Sequence, residues 1–323
     1  MSANLLNVII MRKIFLLCLI GLCSCVQNKD NMEVVDDVVR SVKVSISPLE
    51  EEINSRMEYT ADNKRLWELN DTIGIFPSKG GQVEFPILPK NVGTSLANFD
   101  GGGWGLKSSY TYSAYYPYNF YNRDGKKIPF SYIGQVQDGS GTRGHLSNYL
   151  LGIAEPSTAS NSGLIFNLSH MGAVFILNLT LPEDKIYTSL YIYADSEVIP
   201  VKKTFNLLEI GVPEDVTLNR NHLKIDLKNI TTEASTEVVV YVAFPSVAQE
   251  TKMLKAVVTD SQGYKYVGDI SRVSMKDGSY NFYLNVAKGK YYRLKASPVL
   301  TDGFNGGIED WVTDGIDYGG VAN

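Results

Sequence analysis

Three cysteines fall within eleven residues, in "FLLCLIGLCSC" (15–25), and the rest of the chain holds none. A thiol can close a disulfide, ligate zinc, attack as a nucleophile or carry a lipid, and its neighbours decide which. The run offers no His or carboxylate to complete a metal shell. Arg12 and Lys13 stand ahead of it, and the chain is apolar from Ile14 to Leu22. That is about half of the roughly 20 residues needed to span a bilayer. A short basic segment, a short apolar core and a small-residue exit make the layout of a secretory signal. Met11 directly precedes the basic pair, which points to Met11 rather than Met1 as the start.

Other reactive residues are dispersed. His145, His170 and His222 lie far apart, in no metal-ligand spacing, and no G-x-S-x-G surrounds a serine. "DGSGTRG" (138–144) follows no clear strand-to-helix step, which argues against a phosphate loop. Carboxylates are numerous, but nothing in their spacing pairs two of them for hydrolysis. The expectation is a chain that is not an enzyme, with no catalytic residue, cofactor or metal. The tyrosine-rich stretch 110–121 could stack sugar rings, yet Tyr110, Tyr112, Ala114 and Tyr116 alternate as strand residues do. Trp67, Trp104 and Trp311 read as core or inter-domain packing.

Composition narrows the class further. The whole chain carries a formal net charge of −5; the basic pair Arg12 and Lys13 belongs to the leader, which holds no acid, so its removal leaves a net charge near −7. An acidic surface argues against nucleic acid and against charge-driven docking on anionic lipid. With 20 Tyr, 28 Gly and almost no stretch that reads as a long helix, the chain is expected to be all-β. In "SVKVSIS" (41–47), Val42, Val44 and Ile46 alternate with Lys43 and Ser45, giving one apolar and one wet face. "LKIDL" (223–227) and "SYNFYLNV" (279–286) show the same period. "AVFILNL" (173–179), "VVVYVAF" (238–244) and "MLKAVV" (253–258) are nearly continuous apolar runs, which predict strands in the middle of a sandwich. Residues 267–286 predict one hairpin with Lys276–Gly278 at its tip. Leu49–Met57 is the only helix candidate of any length. The spacing of strands and turns favours two all-β sandwiches.

"LCSC" (22–25) resembles a bacterial lipobox, which implies Cys25 as the acylated first residue of the mature chain. Beyond it, "LWELNDTIGIFP" (66–77), "YSAYYPYN" (112–119), "LIFNLSHMGAVFILNL" (164–179), "YVAFPS" (241–246), "DGSYNFYLNV" (277–286) and "IEDW" (308–311) resemble, in order, stretches of fimbrillin-like proteins. These are subunits and accessory lipoproteins of type V pili in Bacteroidetes-type bacteria. The resemblance implies two tandem transthyretin-like β-sandwiches: a signal peptide over 1–24, a lipid tether and removable first strand over 25–56, and sandwich domains over 57–164 and 165–323. It implies a surface-exposed lipoprotein of the outer membrane and fimbrium. Its partners are other pilus subunits, engaged by donor-strand exchange, the membrane through the lipid anchor, and a host or bacterial surface glycan or protein if the subunit is adhesive. "SVKVSIS" has the pattern of the removable strand. A processing protease would cut after Arg56, with Arg40 and Arg65 as alternatives, or this subunit would stay uncut. No long strand is evident after Trp311, which leans towards a tip or accessory subunit rather than a stalk. The competing expectation is a glycan-binding surface lipoprotein that never polymerises.

Overall fold

The computed structural model describes residues 42–51, 66–160, 163–182, 184–209, 214–228, 230–232, 237–273 and 280–301. They all lie within the compact unit Val39–Asn323. They form twenty-six strands, one turn of α-helix, α1 (Leu146–Tyr149), and a 3-10 turn at Pro89–Asn91. The fold is all-β.

Strands are numbered in chain order. One sheet runs β4 (Val83–Pro86), β3 (Thr72–Pro77), β6 (Thr111–Tyr116), β9 (Gly152–Ile153), β11 (Leu164–His170), β1 (Val42–Ile46) and β5 (Leu96–Phe99), with β10 (Ser157–Thr158) beside β6. A second runs β18 (Glu237–Pro245), β12 (Gly172–Thr180), β25 (Lys290–Ala296), β22 (Ser271–Arg272) and β23 (Tyr280–Asn281), with β2 (Glu50–Glu51) beside β25. The third runs β26 (Val299–Leu300), β21 (Lys265–Asp269), β20 (Lys255–Asp260), β13 (Lys185–Tyr193), β16 (His222–Lys228) and β8 (Gln135–Asp138), with β17 (Thr231–Thr232) on β13. Two smaller sheets join β15 (Asp215–Arg220), β14 (Ile199–Phe205) and β7 (Ile128–Ser131), and β19 (Val247–Met253) with β24 (Tyr283–Val286).

Alternation in sequence becomes alternation in burial. Leu223, Ile225 and Leu227 of β16 are buried while Lys224 and Lys228 are exposed. Leu284 and Val286 of β24 are buried between exposed Tyr283 and Asn285. The hairpin predicted at 267–286 is present as β22 paired antiparallel to β23, while its tip lies outside the described residues. One core cluster is drawn from residues 42–168 and centres on Trp67, Phe85, Phe99 and Phe166. A larger one spans residues 173–296, together with Tyr132 and Leu150. Phe175 organises the larger cluster: its ring stacks on Phe244 at 4.3 Å and meets Phe282 and Tyr292 edge-on at 5.4 and 5.7 Å. Such pairs add about 0.5–1.5 kcal/mol each beyond the area they bury. A third, small cluster, with Phe76, Tyr115 and Phe205, packs on the opposite face of β3 and β6.

Three expectations need correction. Leu49–Met57 does not begin as a helix: Glu50 and Glu51 pair in parallel with Lys290 and Tyr291, because an extended chain there completes the edge of β25. The remaining residues of that stretch, 52–57, lie outside the described ones. "VVVYVAF" is not mid-sheet, since β18 ends its sheet and pairs with β12 alone, whereas "MLKAVV" does lead into a central strand, β20. Trp104 is not core: it is 54% exposed, against 2% for Trp67.

Candidate functional site

The first strand occupies a slot in the sheet. β1 pairs parallel to β11, Val42 opposite Leu164 and Val44 opposite Phe166, and antiparallel to β5, Val42 opposite Phe99 and Val44 opposite Ala97. Period-2 geometry sends Val42 and Val44 to the same face. Both are 0% exposed, in one cluster with Leu164, Phe166, Leu168, Ala97 and Phe99. The outer face carries exposed Lys43, and Ser45, whose hydroxyl donates to Asn167 Oδ1 at 2.5 Å. Ser47 N–H then donates to Leu168 O, extending the ladder by one bond. A five-residue ribbon thus satisfies the edges of two strands that lie about fifty and about one hundred and twenty positions further along the chain.

The slot stands on a rigid wall built from two of the stretches singled out in the sequence. Trp67 meets Phe99 and Tyr116 edge-on at 5.0 and 5.4 Å. Tyr116 hydroxyl donates to Asp71 Oδ1 at 2.7 Å, and Asp71 Oδ2 accepts Glu68 N–H at 2.7 Å, so one carboxylate ties the tyrosine to the turn after Trp67. Gly74 lies against the ring of Tyr115: a Cβ there would sit 2.2 Å from Tyr115 Cε1, so only glycine admits that approach. Burial pushes the Tyr115 hydroxyl up to about 12, and it is held by Gln82, Asn119 and Asn122. The tyrosines of 110–121 are therefore packing residues wherever they sit on β6, whose Tyr112, Tyr115 and Tyr116 are all buried.

A second edge is closed by side chains. The outer backbone edge of β18 meets glutamines from β8 at every other residue, which matches the spacing of a strand. Gln135 accepts Ala243 N–H at 2.8 Å and donates to Ala243 O at 2.7 Å. Gln137 accepts Tyr241 N–H at 2.7 Å and donates to Val239 O at 2.8 Å. Ser140 Oγ takes Val239 N–H at 3.0 Å, and His145 Nε2 lies 3.0 Å from Tyr241 O. Each amide reproduces one backbone donor and one acceptor, so β18 presents no free ladder to another chain. These caps are invisible to hydrophobic periodicity; the only signal is a pair of glutamines two residues apart that are both buried.

Residues expected to do chemistry stay apart. His145 caps β18, and His170 is buried at the end of β11. His222 sits beside Tyr191, its titration pushed down to about 3 by burial and by the nearby cations Arg220 and Lys224. Asp260 is buried and accepts Gln262 and Tyr264 N–H at 2.9 Å with Lys185 Nζ at 3.1 Å, which makes it the brace of the β20–β21 turn. Lys203, also buried, is held by Glu214 and Ser246. Gly139 and Gly141 take φ of +86° and +76° and turn the chain along the β18 edge, so 138–144 serves as a cap. Among the described residues no three His, Cys, Asp or Glu side chains gather as a metal site, and no helix is long and apolar enough to cross a membrane. Cys25, Arg40, Arg56, Arg65 and Trp311 lie outside the described residues.

No family model and no curated protein matches the chain. Its structural neighbours are candidate cell adhesion proteins and fimbrial proteins of Bacteroides and Porphyromonas. A candidate cell adhesion protein from Bacteroides uniformis is 14% identical, with 83% of this chain and 98% of that one covered at a TM-score of 0.47. One from Bacteroides ovatus is 17% identical over 81% and 95%, also at 0.47. The tip fimbrial protein Mfa3 from Porphyromonas gingivalis, with a C-terminal truncation, is 11% identical over 81% and 100%, at 0.35.

Proposed function

We propose that the chain is a fimbrillin-like surface lipoprotein: a structural or tip/accessory, adhesive component of a type V pilus, built by donor-strand exchange. The observation that carries this reading is β1. A short ribbon near the start of the chain fills a slot between β5 and β11, with Val42 and Val44 at 0% exposure. Withdrawing it would unpair the edges of both neighbours and uncover Ala97, Phe99, Leu164, Phe166 and Leu168. A segment of like alternation from a neighbouring subunit would satisfy the same donors, acceptors and pockets. The sealed edge of β18 fits the same reading, because glutamine side chains there take the place of a free ladder that would otherwise invite unspecific strand pairing.

In this reading Cys25 carries the lipid, each buried methylene of which contributes about 0.8 kcal/mol, and two or three chains hold the protein on the outer membrane. Cleavage after Arg56 or Arg65 would sever β1 from the body of the subunit, whereas cleavage after Arg40 would fall ahead of β1 and remove only the segment before it. Two transthyretin-like sandwiches meet near residue 165, a division supported by one core cluster drawn from 42–168 and another mainly from 173–296. The partners are other pilus subunits, and catalysis plays no part.

Two measurements on the membrane-extracted protein test the proposal. Mass spectrometry should find either an acylated Cys25 or a new N-terminus after one of these arginines. Treatment with an Arg-specific protease should convert monomer into SDS-resistant ladders. A different mature N-terminus, or a cleaved chain that remains monomeric, contradicts it.

A further inference from the structure

We propose that a small cleft over β3 and β6, distinct from the β1 slot, binds an anionic saccharide. One sugar ring lies on Trp104, and its carboxylate or sulfate sits between Lys79 and Lys107. The site does not depend on whether the chain polymerises.

The cleft has an apolar floor that includes Ile75, Phe85 and Tyr112, and a rim formed by Trp104, Tyr110, Lys79 and Lys107. Trp104 is 54% exposed at the end of the glycine-rich loop 100–103, whereas Trp67, in the same half of the chain, is buried. What sets Trp104 apart from the other exposed aromatics is that it borders an apolar cleft, where its indole face is available for a ring to stack on. Lys79 and Lys107 place their Nζ atoms 5.9 and 5.6 Å from the centroid of the Tyr110 ring. Neither ammonium meets a carboxylate among the described residues. On a chain of net charge −5, two lysines near one tyrosine ring and without a carboxylate partner among the described residues make a local positive spot.

The rim is also held in place before any ligand arrives. Tyr112 hydroxyl accepts Lys107 N–H at 2.6 Å and donates to Lys107 O at 3.0 Å, which fixes one lysine-bearing loop to β6. Ser78 N–H donates to Thr111 O at 2.7 Å, and Thr111 N–H donates to Ser78 Oγ at 3.2 Å, which fixes the other. Preorganisation of this kind removes an ordering cost from binding.

Size and shape select the ligand class. The enclosed part of the cleft is about 60 Å³, enough for one substituent and too small for a ring, so the ring must lie outside on Trp104. A pyranose offers a flat C–H face to an indole and one anionic group at fixed distance. An acidic peptide would have to freeze many rotors to reach the same two cations. Lysine ammonium groups act as point charges and accept carboxylate or sulfate alike.

The test uses ligand-observed NMR on the full chain with unsulfated chondroitin disaccharide, its sulfated form, lactose and tri-glutamate. The expected result is saturable binding of the disaccharides that weakens with added salt, and none of lactose or tri-glutamate. Binding of both forms assigns the anion as carboxylate, and binding of the sulfated form alone assigns it as sulfate. K79A and K107A should each weaken binding about tenfold, and W104A by at least as much. All three residues are exposed at the rim, so circular dichroism of each variant should match the parent. Absence of disaccharide binding, equal binding of lactose or tri-glutamate, or variants that bind like the parent would each overturn the proposal.

Discussion

Replacing Val44 with alanine measures how much the slot depends on its ribbon. Val44 is 0% exposed at the centre of β1, flanked by Ala97 on one side and Phe166 on the other. The substitution removes two buried carbons, a transfer loss of about 1.6 kcal/mol at about 0.8 kcal/mol per methylene. Ladders on both sides hold the backbone apart, so the space collapses little and a cavity penalty is added. The total comes to about 2–3 kcal/mol. Lys43, one residue away and exposed, is the control: Lys43→Ala should change stability by less than about 0.5 kcal/mol. Urea unfolding of the purified chains reads the difference directly, since 2–3 kcal/mol moves the midpoint by about 1 M at unchanged slope. If Val44→Ala and Lys43→Ala unfold together, β1 is not part of the core and the argument for a plugged slot fails.

Other consequences are equally open to measurement. The double variant Gln135→Ala/Gln137→Ala strips four hydrogen bonds from the β18 edge. At about 1–3 kcal/mol per unsatisfied buried group it should lower stability and make the chain self-associate in sedimentation velocity; a monomer of parental stability would show that the edge needs no cap. His222 is neutral in the fold down to about pH 3, whereas an unfolded histidine charges below about 6.5. The unfolded state therefore takes up the extra proton as pH falls, and stability should drop by about 1.5 kcal/mol between pH 6.5 and 5. His222→Gln should flatten that slope in urea titrations, and an unchanged slope would assign it elsewhere. At Asp260 burial raises the carboxyl, but Lys185 and the N–H groups of Tyr264 and Gln262 outweigh it and hold the pKa below the usual range. Its contribution is present above the unfolded pKa of about 3.9 and is lost as pH falls through the lower folded value. Asp260→Asn should thus narrow the stability gap between pH 7 and pH 3, and a parental profile would count against the brace.

What was legible in the sequence follows from what period-2 patterns encode. Val42, Val44 and Ile46 announced an apolar face, as did Leu223, Ile225 and Leu227, because side-chain direction is local. Partner choice is not local. That β1 runs parallel to β11, more than a hundred residues away, comes from long-range burial that no window of the chain contains. The same reason misplaced "VVVYVAF": both faces of β18 are apolar, as in a central strand, but its outer neighbour is a row of glutamine side chains. Trp104 was misread because tryptophan suggests burial, while the run of glycines before it carries the ring out to the rim of a cleft.

The replaceable ribbon is best tested by adding it back from outside. A labelled peptide of residues 41–47 is mixed with the chain before and after cleavage by an Arg-specific protease, and incorporation is followed on a semi-native gel. The account predicts that cut chain takes up the peptide, that uncut chain does not, and that a peptide carrying Val44→Asp is refused. Uptake by uncut chain, or a cut chain that excludes the parental peptide, would contradict strand exchange at this slot.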